Sequence, residues 1–275
     1  MRTLGISGAL KAPSAGSLVK SALRLPSDVD WSHESGLEYL PEACGTAERF
    51  LYCDNLLPEK SDPVVPAVQT FKPFVIYYPE GCGTLAIRPA GWEARSVNGL
   101  AAQESSALAL ELNSSYNGVN PDLLSTAVDV SPVTPNEVPQ TILGLIHAMV
   151  ACGYSGDITF HAPAWALPSF LTNTELTLTN GVYKLGHHTV VFDAGYTNQA
   201  PTDADPLNTV ASDADVWIYA TTPVEYAFAE VRTYGVAESM KGDMARQNTV
   251  YVVAERPAIV RFDSCCVFAA LAKVC

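Results

Sequence analysis

"RQNTVYVVAERPAIVRFDSCCVFAALAKVC", residues Arg246–Cys275, decides how the rest of this chain is read. It holds two apolar strands joined by a charged bend, followed by a near-continuous hydrophobic run. Val, Ile, Tyr and Phe at this density suit a pleated, buried surface. A strand this apolar is sheet core, and any side its own sheet leaves open needs a cover.

Working outward, "DVWIYATTPVEYAFAEVRTYG" (Asp215–Gly235) reads as two more strands bent at Thr222-Pro223. "LTLTNGVYKLGHHTVVFDAGYTN" (Leu176–Asn198) is strand, turn, strand, with Asn180-Gly181 supplying the two positive-φ residues of a tight hairpin. "DITFHAPAWALPSFLTN" (Asp157–Asn173) gives a short strand and a short helix near Pro163–Leu171. Before it, "PNEVPQTILGLIHAMVACG" (Pro135–Gly153) has helical period, with Asn136 as N-cap and Gly153 past the end. Ile142, Leu145, Ile146, Met149 and Val150 make its buried face. A longer helix runs through "EARSVNGLAAQESSALALELNSSYNG", with Val97, Leu100, Ala101, Leu108 and Leu112 on one side and an end near Asn117-Gly118. "FKPFVIYYPEGCGTLAI" (Phe71–Ile87) is one or two strands around a Pro-Glu-Gly turn, and "LPEKSDPVVPAVQ" before it is loop or edge. Residues 1–49 read as an extended arm with one short helix near Ser17–Leu25. The sum is an α+β chain with helices beside antiparallel sheet and no internal repeat.

The 275 residues suffice for one large domain or two modest ones with a real core. Charged residues are 16% and hydrophobic ones 48%, a low charge fraction that points to partner surfaces. Net charge is −13, which argues against a general nucleic-acid binder. The basic exception is residues 1–27, which hold Arg2, Lys11, Lys20 and Arg24 and no acid. A basic arm on an acidic body suits an anionic partner or the acidic body of a neighbour. No signal peptide or membrane-length apolar run is read. Cys44, Cys53, Cys82, Cys152, Cys265, Cys266 and Cys275 are odd in number and irregularly spaced, so the expectation is buried free thiols in a cytosolic chain.

The motifs that suggest chemistry are weak. His187-His188 sits in a strand whose neighbours alternate faces, so the two do not ligate one metal. Cys265-Cys266 meets the same alternation, which argues against a zinc pair or an ordinary disulfide. His161 follows a strand and precedes Ala162-Pro163, and a satisfied structural histidine is the expected reading. "GISG" is not a nucleophile elbow, and no phosphate-binding glycine loop follows a strand. Asp193, Asp203, Asp205, Asp213 and Asp215 lack calcium-loop spacing and read as a solvated acidic loop. No catalytic, cofactor-binding or metal residue is assigned.

Together these pieces resemble a family. "FDAGY", "YATTPVE" and "NTVYVVAERPAIVRFDSCC", set in this order of strands and helices over roughly residues 71–275, resemble the small major capsid proteins of tailed bacteriophages with the HK97-type fold, particularly of phages infecting actinobacteria. The resemblance implies an N-terminal arm at 1–50 and an extended hairpin, the E-loop, at 51–92. It implies a peripheral domain with a spine helix at 93–131 and 236–275, and an axial domain at 132–235. It implies a non-enzymatic subunit that forms hexamers and pentamers of an icosahedral head, made in the bacterial cytoplasm and ending in the virion. Partners are then copies of itself, non-specifically packaged double-stranded DNA, and scaffold, portal or decoration proteins, with no membrane and no cofactor. The apolar closing strand would have its open side covered by the next subunit. Arg2, Lys11, Lys20, Arg24, Lys60 and Lys72 are interface candidates, and no Lys–Asn crosslink is expected. The alternatives are an encapsulin-type shell and, more distantly, a hydrolase using His161 and an Asp of the 193–215 loop.

Overall fold

The computed structural model describes residues 14–26, 36–39, 68–82, 92–235 and 250–274. Arg2, Lys11, Lys60 and the proline-rich stretch at 57–67 lie outside them. Near the N-terminus, α1 (Leu18–Ser21) is a single turn and β1 (Leu23–Arg24) follows at once, so the expected helix to Leu25 is mostly strand and connector. The two-stranded pair β2 (Leu37–Tyr39) and β3 (Gln69–Phe71) leads into β4 (Phe74–Cys82). Helix α2 (Trp92–Asn113) is the longest element among the described helices. It stops four residues short of the expected Asn117, because the Glu111 carboxylate accepts the Ser115 hydroxyl and the Tyr116 amide and turns the chain into a 3-10 turn at Tyr116–Gly118.

After α3 (Leu123–Thr126), capped by Asp122, come β5 (Val128–Asp129) and β6 (Asn136–Glu137). In helix α4 (Val138–Ala151) the N-cap position falls on Glu137 rather than Asn136, without a side-chain cap bond, and Pro139 sits in its first turn; both Asn136 and Glu137 pair with the closing strand. Gly153 has φ 103° just past its end. Of the expected face, Ile142, Leu145 and Met149 are buried and Ile146 is half-buried, but Val150 is exposed; Val138 and Thr141 complete the buried side. Strand β7 (Thr159–Pro163), α5 (Leu167–Asn173) and the hairpin of β8 (Leu176–Thr179) and β9 (Val182–Leu185) follow as expected, with Asn180 and Gly181 at φ 53° and 82°. Then come β10 (His188–Asp193), β11 (Asp215–Thr221), β12 (Glu225–Phe228), β13 (Arg232–Gly235), β14 (Val250–Arg261) and β15 (Phe268–Lys273).

Among the described residues these strands form two main sheets. In the larger, β5 and β6 flank β15, then β11, β7, β10, β9 and β8 follow in order. In the smaller, β1 pairs with β12, β14 takes β12 and β13 on one edge, and β4 lies along its other edge. The closing strand β15 therefore joins the larger sheet with β11, while β14 lies in the smaller sheet beside α2. Among the described residues, β12 and β13 leave β11 for the smaller sheet, and β14 and β15 lie in different sheets.

Strict alternation divides the core. On β11, Val216, Ile218 and Ala220 pack toward α4 and α5 with Phe160, Phe192 and Leu145, while Trp217 and Tyr219 pack with α2 residues Leu108 and Leu112. Both faces of the centre of the larger sheet are thus covered from within the chain, which is why β7 and β10 are buried at every position, while β8 at its edge is mostly exposed. The same holds for the terminal strand, whose Ala269, Ala270 and Ala272 are buried in the isolated chain. Its apolar character needs no neighbouring subunit, contrary to the expectation above.

The charged stretch of the opening sequence does not bend either. Val250–Arg261 is one strand of 12 residues. Pro257 lies where β12 ends and β13 has not begun, and its carbonyl accepts the Ala229 amide there at 3.0 Å. A residue without an N–H fits such a break in the ladder. Arg256 stays on the inner face by pairing with Glu104 of α2 at 2.7 Å.

Candidate functional site

The expected free thiols are the first correction. Cys152, at the end of α4, and Cys266, before β15, form a disulfide with Cα atoms 6.0 Å apart. Cys265 is disulfide-bonded as well. The alternation argument failed because Cys265 and Cys266 sit in a turn, not in a strand. The histidine pair fails the same test. His187 is in the turn and His188 opens β10, so their rings lie 3.8 Å apart rather than on opposite faces. No group of three or more His, Cys, Asp or Glu side chains suited to a metal occurs among the described residues.

His161 is fully buried between Thr221 at the end of β11 and Tyr196 in the loop after β10. The Thr221 hydroxyl donates to the Thr222 carbonyl at 2.7 Å, so it accepts from His161 Nε2–H at 2.8 Å. Nδ1 is then bare and accepts the Tyr196 hydroxyl at 2.8 Å. Burial pushes the imidazole down to about 3 and the Tyr196 phenol well above its ordinary value. A neutral ring with both nitrogens taken is a structural pin, and no Asp of the 193–215 loop touches it.

Asp193 instead gathers the chain. Its Oδ2 accepts the Leu18 amide at 3.1 Å and the Ser105 hydroxyl at 2.7 Å; its Oδ1 accepts the Ser106 hydroxyl at 3.0 Å and the Gly195 amide at 3.3 Å. One buried carboxylate thus joins α1, α2 and the end of β10. The rest of "FDAGY" serves the same junction. Phe192 fills the core beside Phe170, and Tyr196 holds His161. Gly195 lies against α2, where a Cβ would run into the Ser106 carbonyl oxygen and sit 2.6 Å from the Leu110 nitrogen.

That junction fixes the N-terminal segment. The Gly16 amide donates to Gly181 O at 2.7 Å, and Gly16 O accepts the Phe192 amide at 2.9 Å. The Val19 amide donates to Ser105 Oγ, and β1 pairs in parallel with β12. Residues 14–26 therefore lie across the body as an anchored strap. They leave Lys20 and Arg24 exposed on its outer side.

Lys72 sits at a second anchor. Asn120 accepts its amide at 2.6 Å and donates to its carbonyl at 3.1 Å, and also donates to Glu111 at 2.8 Å. Phe71 beside it is fully buried against Phe262, so the main chain is clamped while the Lys72 side chain projects to solvent. Sequence reasoning missed Asn120, Glu104, Ser105 and Ser106. The only signal for the serines was their place in the middle of a long helix, where they are poor helix formers.

The acidic loop is structured rather than merely solvated. Asp205 accepts the Leu207 and Thr209 amides and the Thr209 hydroxyl, bonds that hold its carboxyl below the ordinary range. Asp203 accepts the Asp129 amide, and Asp215 the Ser212 hydroxyl. Asp205 and Asp215 close local turns, and Asp203 ties the loop to β5. The conspicuous open surface is the outer face of the smaller sheet. There Val75, Tyr77 and Tyr234 are each at least half exposed, whereas Ile76, Ala254 and Ala258 on the inner face are buried.

No protein-family model matches the chain, and no curated protein matches it in sequence. Solved structures do match in shape. The capsid of an empty GTA particle computed with C5 symmetry shares 12% identity over 99% of this chain and 94% of that one, at a TM-score of 0.59. A structure from Mycobacterium phage Ogopogo gives 14%, 99%, 96% and 0.57, and one from Gordonia phage Cozz gives 11%, 100%, 92% and 0.56 in the same order. At these identities the likeness is one of fold.

Proposed function

We propose, from the HK97-type α+β fold that this chain shares with phage capsids, that it is the repeating subunit of an icosahedral phage head enclosing double-stranded DNA. The observation that carries the reading is a shape match that covers 99% of the chain. The bonds of buried His161 to Tyr196 and Thr221 suit a structural role for that residue. Subunits would assemble as hexamers and pentamers, in the virion, after synthesis in a bacterial cytoplasm. Scaffold, portal and decoration proteins are the further partners such a head would use.

The domain reading follows with one change. Residues 1–50 act as the arm, 51–92 as the E-loop hairpin, and α2 as the spine helix. The boundary between peripheral and axial parts runs through Thr222–Val224 and Phe262–Val267, where the chain passes between sheets. The terminal strand then counts with the axial part. Arg2, Lys11, Lys20 and Arg24 contact an acidic neighbouring subunit or the packaged DNA, and Lys60 and Lys72 lie at the subunit boundary. A neighbour covers the outer face of the smaller sheet, at Val75, Tyr77 and Tyr234.

Light scattering followed by electron microscopy of the purified protein tests the reading. Closed megadalton shells support it, and DNA inside distinguishes a phage head from an enzyme-loaded nanocompartment. A chain that stays monomeric with and without a co-expressed scaffold overturns it. Deleting residues 1–27 is expected to lower particle yield; unchanged assembly and particle stability would remove the arm from the interface.

A further inference from the structure

The chain passes between its two sheets at two places. Thr222–Val224 leads from β11 to β12, and Phe262–Val267 leads from β14 to β15. The crossings lie side by side. The Asp263 amide donates to Thr222 Oγ1 at 3.3 Å, and Asp263 Oδ1 accepts the Cys265 amide at 2.9 Å. Through Thr222 O the joint reaches Thr221 and the His161 pin. An open cleft of about 490 Å³ borders it, lined by Tyr154, Gly156, Pro223, Arg261 and Asp263 among others. The Cys152–Cys266 bridge fastens this joint to the end of α4, across 114 residues of sequence.

We propose that this bridge is a redox-set lock on the joint between the two sheets. Reduced, the second crossing loses this covalent tie to α4, and the cleft beside it leaves room for movement. Oxidised, the crossing is fixed to the helix end. Cys152 is partly exposed and Cys266 is fully buried, so Cys152 is the thiol that meets an outside reagent. The oxidant is a low-molecular-weight disulfide. The Cys152 thiolate attacks one of its sulfurs, forming a mixed disulfide and releasing one small thiolate. The Cys266 thiolate then attacks the Cys152 sulfur, forming the protein bridge and releasing the second small thiolate. Two protons leave the protein thiols, and two electrons pass to the reagent. The lock would be open in a reducing cytoplasm and closed after release from it. It belongs to the folded chain and stands apart from the shell reading.

The test uses the purified full-length chain, treated with glutathione disulfide or with dithiothreitol, then alkylated and mapped by peptide mass. Amide hydrogen exchange is read on both forms. After oxidation, Cys152 and Cys266 are expected to resist alkylation and to appear in one linked peptide. Reduction is expected to speed exchange about tenfold over residues 152–156 and 262–267. The Cys152→Ser/Cys266→Ser variant is expected to show no such difference between the two treatments. Should it fold poorly, Cys152→Ala alone serves, since it leaves Cys266 in its buried place. Alkylation of both cysteines after oxidation would overturn the proposal. So would exchange that ignores the redox state, or an equal response in the variant, which would assign the effect to the bridge made by Cys265.

Discussion

Asp193 shows how much of the molecule one side chain organises. Four donors converge on its carboxylate from three elements. Asp193→Ala leaves two part-buried hydroxyls and two buried amides without acceptors and should cost roughly 3 kcal/mol in urea unfolding. It should also speed trypsin cleavage at Lys20 and Arg24, because the strap loses its central fixing point. Gly195→Ala is expected to be comparably severe, since the obstacles are α2 backbone atoms that no rotamer change removes. His161 makes a pH prediction. Its folded value of about 3 lies below its ordinary 6.5, so the neutral ring contributes stability fully above pH 6.5 and loses it as pH falls from 6.5 toward 3. His161→Gln should lower stability at pH 7 and flatten the profile over that window, as read by denaturant melts at stepped pH. The sequence made "FDAGY" conspicuous without saying why. Ser105 and Ser106 stand 88 and 87 positions from Asp193, and no local pattern reports such a meeting.

Elements defined by local chemistry were legible, and those defined by distant partners were not. The Asn180-Gly181 hairpin, the strand at Thr159–Pro163 and helix α4 follow from turn residues and period. The straightness of β14 does not, because it depends on Glu104 lying beneath Arg256 and on a gap in the neighbouring ladder at Pro257. The Glu104–Arg256 pair is mostly buried, with side chains 11% and 25% exposed. Removing Glu104 by Gln substitution should cost about 2 kcal/mol, less than a fully buried pair would, and a double-mutant cycle with Arg256→Met should return a coupling above about 1 kcal/mol. Additive single effects would show that the strand is held straight by its ladder alone. Sheet membership was equally hidden. β14 and β15 are adjacent in sequence, yet a crossing of six residues sends them to different sheets.

For the whole molecule, the low charge fraction pointed to shared surface, and the structure narrows where that surface lies. The centre of the larger sheet contributes little of it, since β7 and β10 are buried at every position. The outer face of the smaller sheet remains, with Tyr77 at 67% exposure. Tyr77→Lys is expected to leave the melting temperature within about 2 °C, because an exposed side chain supports little of the fold. It should nonetheless suppress shell formation in sedimentation. Normal shells from that variant would move the contact elsewhere. The cysteines were the clearest misreading, because spacing carries no information about which loops meet. Closing a loop of 114 residues is worth roughly 4–5 kcal/mol in the chain-entropy picture, so the reduced protein should melt well below the oxidised one.

The covered larger sheet has a consequence in time. A strand that depended on a neighbour for its second face would make folding wait for encounter. Every new chain would then be a sticky intermediate until a partner arrived. Here the core closes on itself, so chains can accumulate as finished parts. If the proposed shell reading holds, the onset of shell growth would then be governed by their concentration and by the surfaces they present, not by how fast each one folds.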